Sequence, residues 1–167
     1  MAAVRSATVR PATAADLPAL VALRLANADA HLALDPETYR VPRSDVVADH
    51  FRAVLAGGRD AVLVAEAPDG RVVGMIEVLR HGDPPEHQIL RPEPSAAVHT
   101  VVLPDRRDHG VGAALLAAAE SWANDQGIRW LSAGIHHRND RAVAFYRRHG
   151  YGDSGLSLGR RLPTPPP

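Results

Sequence analysis

Apolar residues along this chain recur with two periods, and the period changes mark the elements. Leu17, Leu20, Val21, Leu25 and Ala28 fall at helical spacing. They follow a start signal in which Thr13 caps and Asp16 stands three residues later. A second helical block carries Val47, Phe51, Val54 and Leu55, opened by Ser44 and ended by Gly57 and Gly58. Ahead of both, Thr8 to Arg10 reads as a short strand stopped by Pro11, and residues 31–43 read as a loop with a partial helix. Ala61 to Ala65 is an unbroken apolar run, the pattern of a strand covered on both faces. Pro68, Asp69 and Gly70 make a turn, and Val72 to Leu79 returns as the second strand of a hairpin. Four prolines in residues 81–94 predict a long connection. A strand over Ala96 to Leu103 follows, then a helix from Gly110 to Gln126 with Val111, Leu115, Leu116, Ala119, Trp122 and Ala123 on one face, closed by Gly127. Trp130 to Ile135 reads as a strand, Asn139 to His149 as a helix closed by Gly150, and Tyr151 to Leu162 as a final strand or hairpin. The order β-α-α-β-β-β-α-β-α-β predicts a mixed α/β sheet with helices on both faces. Residues 1–162 are expected to form a single domain, and the proline-rich tail 163–167 to be disordered.

Composition narrows the function. A chain of 167 residues is long enough to bury a core without staples. It has no cysteine, which removes disulfides, thiolate metal sites and a cysteine nucleophile together. Lys+Arg and Asp+Glu balance at 19 each, so the basic footprint of a nucleic-acid binder is missing. No apolar run approaches the ~18–20 residues of a membrane span, and the first ten residues lack the apolar segment of a secretory signal. The expectation is a soluble, cytoplasmic protein without nucleic-acid or membrane partners. Every basic residue is arginine, and the Ala- and Arg-rich usage is associated with bacterial genomes.

The chemistry-bearing stretch runs from Val101 to Leu115. A strand ends, a loop holds Arg107, Gly110 and Gly112, and an amphipathic helix begins. Glycines at a helix start let free backbone amides approach an anion, and the helix dipole adds to the attraction. No Gly-Lys-Ser/Thr follows, so this is no P-loop, and Leu115 stands where a dinucleotide fingerprint has its third glycine. On glycine spacing alone, a plain glycine-rich turn is an equally good reading.

The surrounding residues resemble a known family. Arg107-x-x-Gly-x-Gly-Ala, preceded by Val-Val-x-Pro-Asp and followed by an Ala/Leu helix, is similar to the coenzyme A loop of the GCN5-related N-acetyltransferase (GNAT) family. The block from Asn139 through Phe145 and Tyr146 to Gly150 and Tyr151 resembles that family's Asn-x-x-Ala-x-x-Phe-Tyr-x-x-x-Gly-Phe/Tyr segment. The opening and the element order are similar too, so the resemblance covers almost the whole chain. It implies a splayed sheet, acetyl-CoA as cosubstrate, and transfer of acetyl to a primary amine by direct attack in a ternary complex. Arg107 falls on the family's Gln/Arg position, and Asp108, His109, Gly110, Val111, Gly112 and Ala113 on its pyrophosphate-binding amides. Thr100, Val101 and Val102 fall on the strand edge that pairs with the pantetheine arm, where the family's sheet is splayed by a bulge. Asn139 would contact the cofactor arm, and Tyr146 would stand near the thioester sulfur.

Chemically, a tyrosine with an unperturbed pKa near ~10 lies above a thiol and can protonate a departing thiolate. A core aromatic beside Phe145 is the plainer alternative for Tyr146. The base is less defined. Several relatives have a glutamate five residues before the Asn, and here that position is Gly134. Glu77, Glu66, His99, Glu86 and His136 are the candidates, and for each a plain solvent-facing or loop residue is the stronger reading. His81, Glu86 and His87 lack the spacing of a metal site, so no metal is expected. Asp35, Glu37 and Tyr39 lie in the loop that often lines the family's acceptor pocket, where acids would suit a cationic small-molecule or peptide amine, although a solvated loop is the plainer and stronger reading. A non-catalytic acyl-CoA sensor and a transferase for another acyl group are the alternative readings. The oligomeric state is left open, a homodimer included.

Overall fold

The apolar run at Ala61 becomes the inner strand β2 (Ala61–Glu66) of a five-stranded sheet. Its neighbours are β1 (Thr8–Pro11) on one side and β3 (Val72–Arg80) on the other, both antiparallel. The sheet continues through β4 (Ser95–Val102), antiparallel to β3, to β5 (Trp130–Ser132), parallel to β4. The structure is a computed structural model and describes residues 7–163. Helices α1 (Leu17–Leu34) and α2 (Ser44–Gly57) cover one face. There Leu20, Leu23, Val47 and Phe51 pack on Val62, Val64, Met75 and Val101. Helix α3 (Val111–Asp125) covers the other, with Leu115, Leu116 and Ala119 on Leu63, Ile76 and Val98. Helix α4 (Asp140–Arg148) joins that side through Tyr146. Apolar burial from both sides explains why β2 has no polar alternation.

Local signals hold where they rest on backbone geometry. Gly58 and Gly70 adopt left-handed conformations at the end of α2 and in the β2–β3 turn. Asp16 accepts the Thr13 amide at 2.8 Å, the back-bond of the expected capping box. Asp16 is also buried against Arg10, with Nη1 to Oδ2 at 2.8 Å, and Arg10 Nε reaches Glu66 at 2.8 Å. One guanidinium thus ties β1, β2 and the start of α1 together.

Helix α1 continues through His31 to Leu34, which is the partial helix expected at the start of residues 31–43. Three expectations change. Strand β5 stops at Ser132 instead of Ile135. The final strand over Tyr151 to Leu162 is absent: residues 151–163 have no regular structure, and Leu156, Leu158 and Leu162 are exposed. Gly152, Gly155 and Gly159 interrupt that segment, and glycine removes both backbone bias and cross-strand contacts from a strand. The bulge expected at Thr100 to Val102 is also absent. The β3–β4 register runs unshifted from Gly74 opposite Val102 to Arg80 opposite Ala96, and the shift lies instead at Ala65/Glu66 in β2. What opens the sheet is the brevity of β5, which pairs only with Ser95, Ala96 and Ala97. Of the proline-rich tail, only Pro163 is within the described residues.

The Arg10–Asp16 pair makes stability depend on pH. The Asp16 carboxyl is held down to about 2, first by the hydrogen bond from Arg10, against an ordinary value of 3.8. A lowered folded pKa contributes stability that is complete above the unfolded value and disappears as pH falls from about 4 towards 2. Asp16→Asn is expected to cost about 1–2 kcal/mol at pH 7. Denaturant melts of both proteins should converge near pH 2, and a difference unchanged by acid would contradict the pairing.

Candidate active site

Beyond Ala97, β4 has no strand beside it on the β5 side, so Val98 to Val102 face a gap. Alternate amides and carbonyls of a strand paired on one side only point away from its partner. The gap opens into a cleft of about 1090 Å³. Its floor is Thr100 to Pro104, one wall is the α3 start with α4, and the other is the end of α1.

The α3 wall is built from backbone. Leu103 leads into a short 3-10 turn, Pro104–Arg106, and Arg107 Nε then donates to the Val102 carbonyl at 3.1 Å, fastening loop to strand. Asp108 takes φ 61 and Gly110 φ 78. Alternation of right- and left-handed residues turns successive amides into one concavity, an anion nest. The first α3 bond runs from the Ala114 amide to the Gly110 carbonyl at 3.0 Å, so the Val111, Gly112 and Ala113 amides precede the helical ladder. Arg107, Arg138, Arg141 and Arg148 line the cleft against only Asp108 and Asp140 as acids, and Arg141 holds Asp108 at 2.8 Å. An extended, polyanionic ligand fits this chemistry.

Most of the residues singled out from sequence meet in this cleft: Thr100, Val101, Val102, Arg107, Asp108, Gly110, Gly112, Ala113, Asn139 and Tyr146 all line it. Two do not. The Val111 side chain is buried in the core on the α3 face, and the His109 ring turns back to the Arg107 carbonyl at 2.6 Å. Asn139 has a further duty, because its Oδ1 accepts the Ala142 amide at 3.2 Å as the cap of α4. Gly112 is needed for packing as well as approach: a Cβ there would stand 3.1 Å from the Phe145 ring. Tyr146 is both core and cleft. It is 7% exposed, packs against Phe145 and Tyr151, and shares a 2.9 Å hydrogen bond with the Thr100 hydroxyl. Burial pushes its phenol pKa up, so it keeps its proton at neutral pH.

The structure assigns different surroundings to the base candidates. Glu77 does not face solvent: it is fully buried, paired with Arg24 and His50. Glu66 is paired with Arg10 at the far side of the sheet. Glu86 lies in the exposed β3–β4 connection. His136 has both ring nitrogens engaged, Nε2 with Asp35 Oδ2 at 3.1 Å and Nδ1 with the Arg138 amide at 3.3 Å. His99 is exposed on β4. The loop acids are also committed. The Asp35 carboxyl is held below its ordinary value chiefly by the Thr38 hydroxyl, with His136 assisting, and Glu37 faces Arg161. Tyr39 packs edge-on to His31 and His136.

Sequence reasoning missed Arg138, Arg141 and Arg148, and the α1 wall of Ala26, Asn27, Ala30, His31 and Leu34. The signal was available in part. Arg141 and Arg148 are seven residues apart, and Ala26 and Ala30 four apart, the spacings of single helix faces.

The comparisons with known proteins agree with this architecture. A profile of the Acetyltransferase (GNAT) family matches residues 28–151. The chain is 31% identical over 164 residues to an aminoglycoside N(6')-acetyltransferase type 1 of Stenotrophomonas maltophilia, covering 95% of each chain. Among solved structures, a tetramutant of the BH1408 protein from Bacillus halodurans superposes with a TM-score of 0.81 at 19% identity, covering 93% of this chain and 99% of that one. The aminoglycoside N-acetyltransferase AAC(6')-Iy, solved in complex with CoA, superposes with a TM-score of 0.71 at 20% identity, covering 93% of both chains. The fold, the cleft at the splayed strands and the family match lead to one conclusion: the chain belongs to the GNAT acetyltransferase family.

Proposed function

We propose that this protein is an acetyl-CoA-dependent N-acetyltransferase that acetylates a primary amine by direct attack. The observation that carries the reading is the cleft itself. It sets an anion nest, an open strand edge and a buried tyrosine along one continuous wall and floor. Acetyl-CoA supplies the activated acyl group and a thiol leaving group. The nest from Asp108 to Ala113, with the cleft arginines, suits a pyrophosphate. The outward amides and carbonyls between Val98 and Val102 suit the amides of a pantetheine arm, with one amide left to polarise a carbonyl oxygen. Tyr146 serves as general acid: its hydroxyl shares a hydrogen bond with the Thr100 hydroxyl, and with Thr100 as the donor the phenolic proton is free to point into the cleft. Without cysteine, no acyl-cysteine step is available.

The acceptor is best read as an amine on a small molecule, supported by the relative named for aminoglycoside N(6')-acetylation. Asp35 and Glu37 do not support cation recognition, because both are already matched by His136, Arg138 and Arg161. Calorimetric titration with CoA, followed by thiol release from acetyl-CoA over a panel of primary amines that includes neamine, tests the reading. Binding with turnover of at least one amine is expected. Binding without any turnover would favour a non-catalytic sensor, and absence of binding would overturn the site.

The site's geometry sets the expected outcome for four variants. Tyr146→Phe keeps the ring and removes the acid, so kcat should fall about tenfold or more while the acetyl-CoA Kd stays within about twofold. Thr100→Val removes the same hydrogen bond but leaves the acid. Its kcat should fall less than that of Tyr146→Phe, with a similar loss of about 1 kcal/mol in stability. Equal kcat in both variants would reduce Tyr146 to a packing residue. Gly112→Asp should weaken CoA binding and also lower Tm by several degrees, because its side chain meets Phe145. Gly110→Ala faces open space and meets only its left-handed φ, so its stability cost should stay near ~1–2 kcal/mol.

A further inference from the structure

Strand β5 is the last of the sheet, and its outer edge is bare. Among the described residues, the backbone of residues 131–135 finds no backbone partner beyond the β4 ladder. The opposite edge strand, β1, is blunted by Arg10 and Pro11, whereas Trp130 to Ile135 holds neither a charge nor a proline. An unguarded edge of this kind is a template for another strand. Beside it runs a groove of about 880 Å³, lined by Ile128, Leu131, Ile135 and Val143. Trp130 lies on the same groove and is 48% exposed. Tyr151 lines it as well, and its buried hydroxyl makes no hydrogen bond. An open edge and an orphan hydroxyl both call for an extended backbone to complete them.

The same chain carries a segment of that description. Residues 155–162 read Gly-Leu-Ser-Leu-Gly-Arg-Arg-Leu, which puts Leu156, Leu158, Arg160 and Leu162 at alternate positions. One side of the segment is apolar with a single cation, and the other begins with only glycine and serine. The three leucines are 84%, 86% and 74% exposed, so nothing in the single chain uses them. Nor does the segment fill its own groove. Gly152 to Ser157 stand at the groove's rim, where Arg147 holds Asp153 at 2.9 Å, and further on Arg161 donates to the Glu37 carbonyl at 3.1 Å. The contact of Arg161 with the Glu37 carboxylate is 3.7 Å between exposed side chains, weak enough to be given up. Charge agrees with exchange. With Arg147 matched by Asp153, Arg129 and Glu120 are the groove's charges without an ion pair among the described residues. Arg160 of the segment lacks one too, and it is the counterpart that Glu120 requires.

We propose that the groove beside β5 binds residues 155–162 of a second copy of this chain, reciprocally across a twofold axis. Each segment adds to the open edge as a sixth strand, its leucines cover the apolar floor, and its Arg160 meets the partner's Glu120. Main-chain bonds to the edge supply what glycine at 155 and 159 withholds, a cross-strand partner. Reciprocity doubles the surface that one segment buries, and the closed symmetry leaves no edge free for further growth. Tyr146 lines both the groove and the cleft, so the partner's segment also backs the helix that presents it. The proposal stands whatever reaction the cleft performs.

Sedimentation velocity of the full chain over the micromolar range tests it. The wild type should sediment as a dimer. Leu156→Ser combined with Leu158→Ser should raise the dimer Kd about 100-fold or more. Arg160→Glu or Glu120→Arg alone should raise it about tenfold. All four positions are exposed in the single chain, so each variant should keep the wild-type circular dichroism spectrum. Arg160→Glu and Glu120→Arg together restore the pair with its sign reversed and should return Kd to within about threefold of wild type. Amide exchange at residues 131–135 should slow as the dimer forms. A wild type that is monomeric throughout overturns the proposal, as does a dimer that the two leucine substitutions leave intact. Unchanged exchange at residues 131–135 on dimerisation, or a charge-reversed double variant no tighter than either single one, overturns the placement of the segment in the groove.

Discussion

The three-residue ladder between β4 and β5 is the constraint on which the rest of the site depends. A parallel pair normally extends until one strand leaves the sheet, and here β5 leaves almost at once. The backbone groups of Val98 to Val102 that point away from β3 are then left without a neighbouring strand. Unpaired strand edges are costly when dry and reactive when exposed. The protein resolves this by making the edge the floor of a cleft, so that water or a ligand supplies the missing bonds. Both walls follow: α3 must begin where β4 ends, and α4 must cross the gap to bury Tyr146 against the same core.

That arrangement lets single residues serve packing and chemistry together. Gly112 gives a backbone amide to the nest and room to Phe145. Asn139 caps α4 and faces the cleft. Tyr146 fills core space and presents a hydroxyl held by Thr100. The α1/α2 face works differently. Its cleft wall is small and neutral, with Ala26, Asn27 and Ala30, and its charges are gathered one turn away around buried Glu77.

The sequence made the elements and the nest readable because both are local. Helix faces, the Thr13–Asp16 start, and Gly110 and Gly112 before an Ala/Leu helix are short-range patterns tied to backbone geometry. The resemblance supplied the roles of Arg107, Asn139 and Tyr146. What stayed hidden was long-range. Nothing near Glu77 says that Arg24 and His50, distant in sequence, converge on it and exclude water. The left-handed turn at Asp108 was equally silent, since few non-glycine residues take a positive φ and a single aspartate does not mark one that does. Tyr151 to Leu162 read as a strand or hairpin, but a strand needs a partner edge, and that is a property of the sheet. The bulge was an expectation of the family resemblance, and it failed because a short β5 opens the same gap with the β3–β4 register intact.

The most direct measurement of this arrangement is amide hydrogen exchange of the whole chain with and without CoA. Slowed exchange on binding is expected at Val98 to Val102 and at Asp108 to Ala113, the open edge and the nest, with little change along β1 and β2. Protection confined to other segments, with the β4 edge exchanging as fast in the complex as in the free protein, would contradict the claim that the gap left by β5 is the cofactor's binding surface.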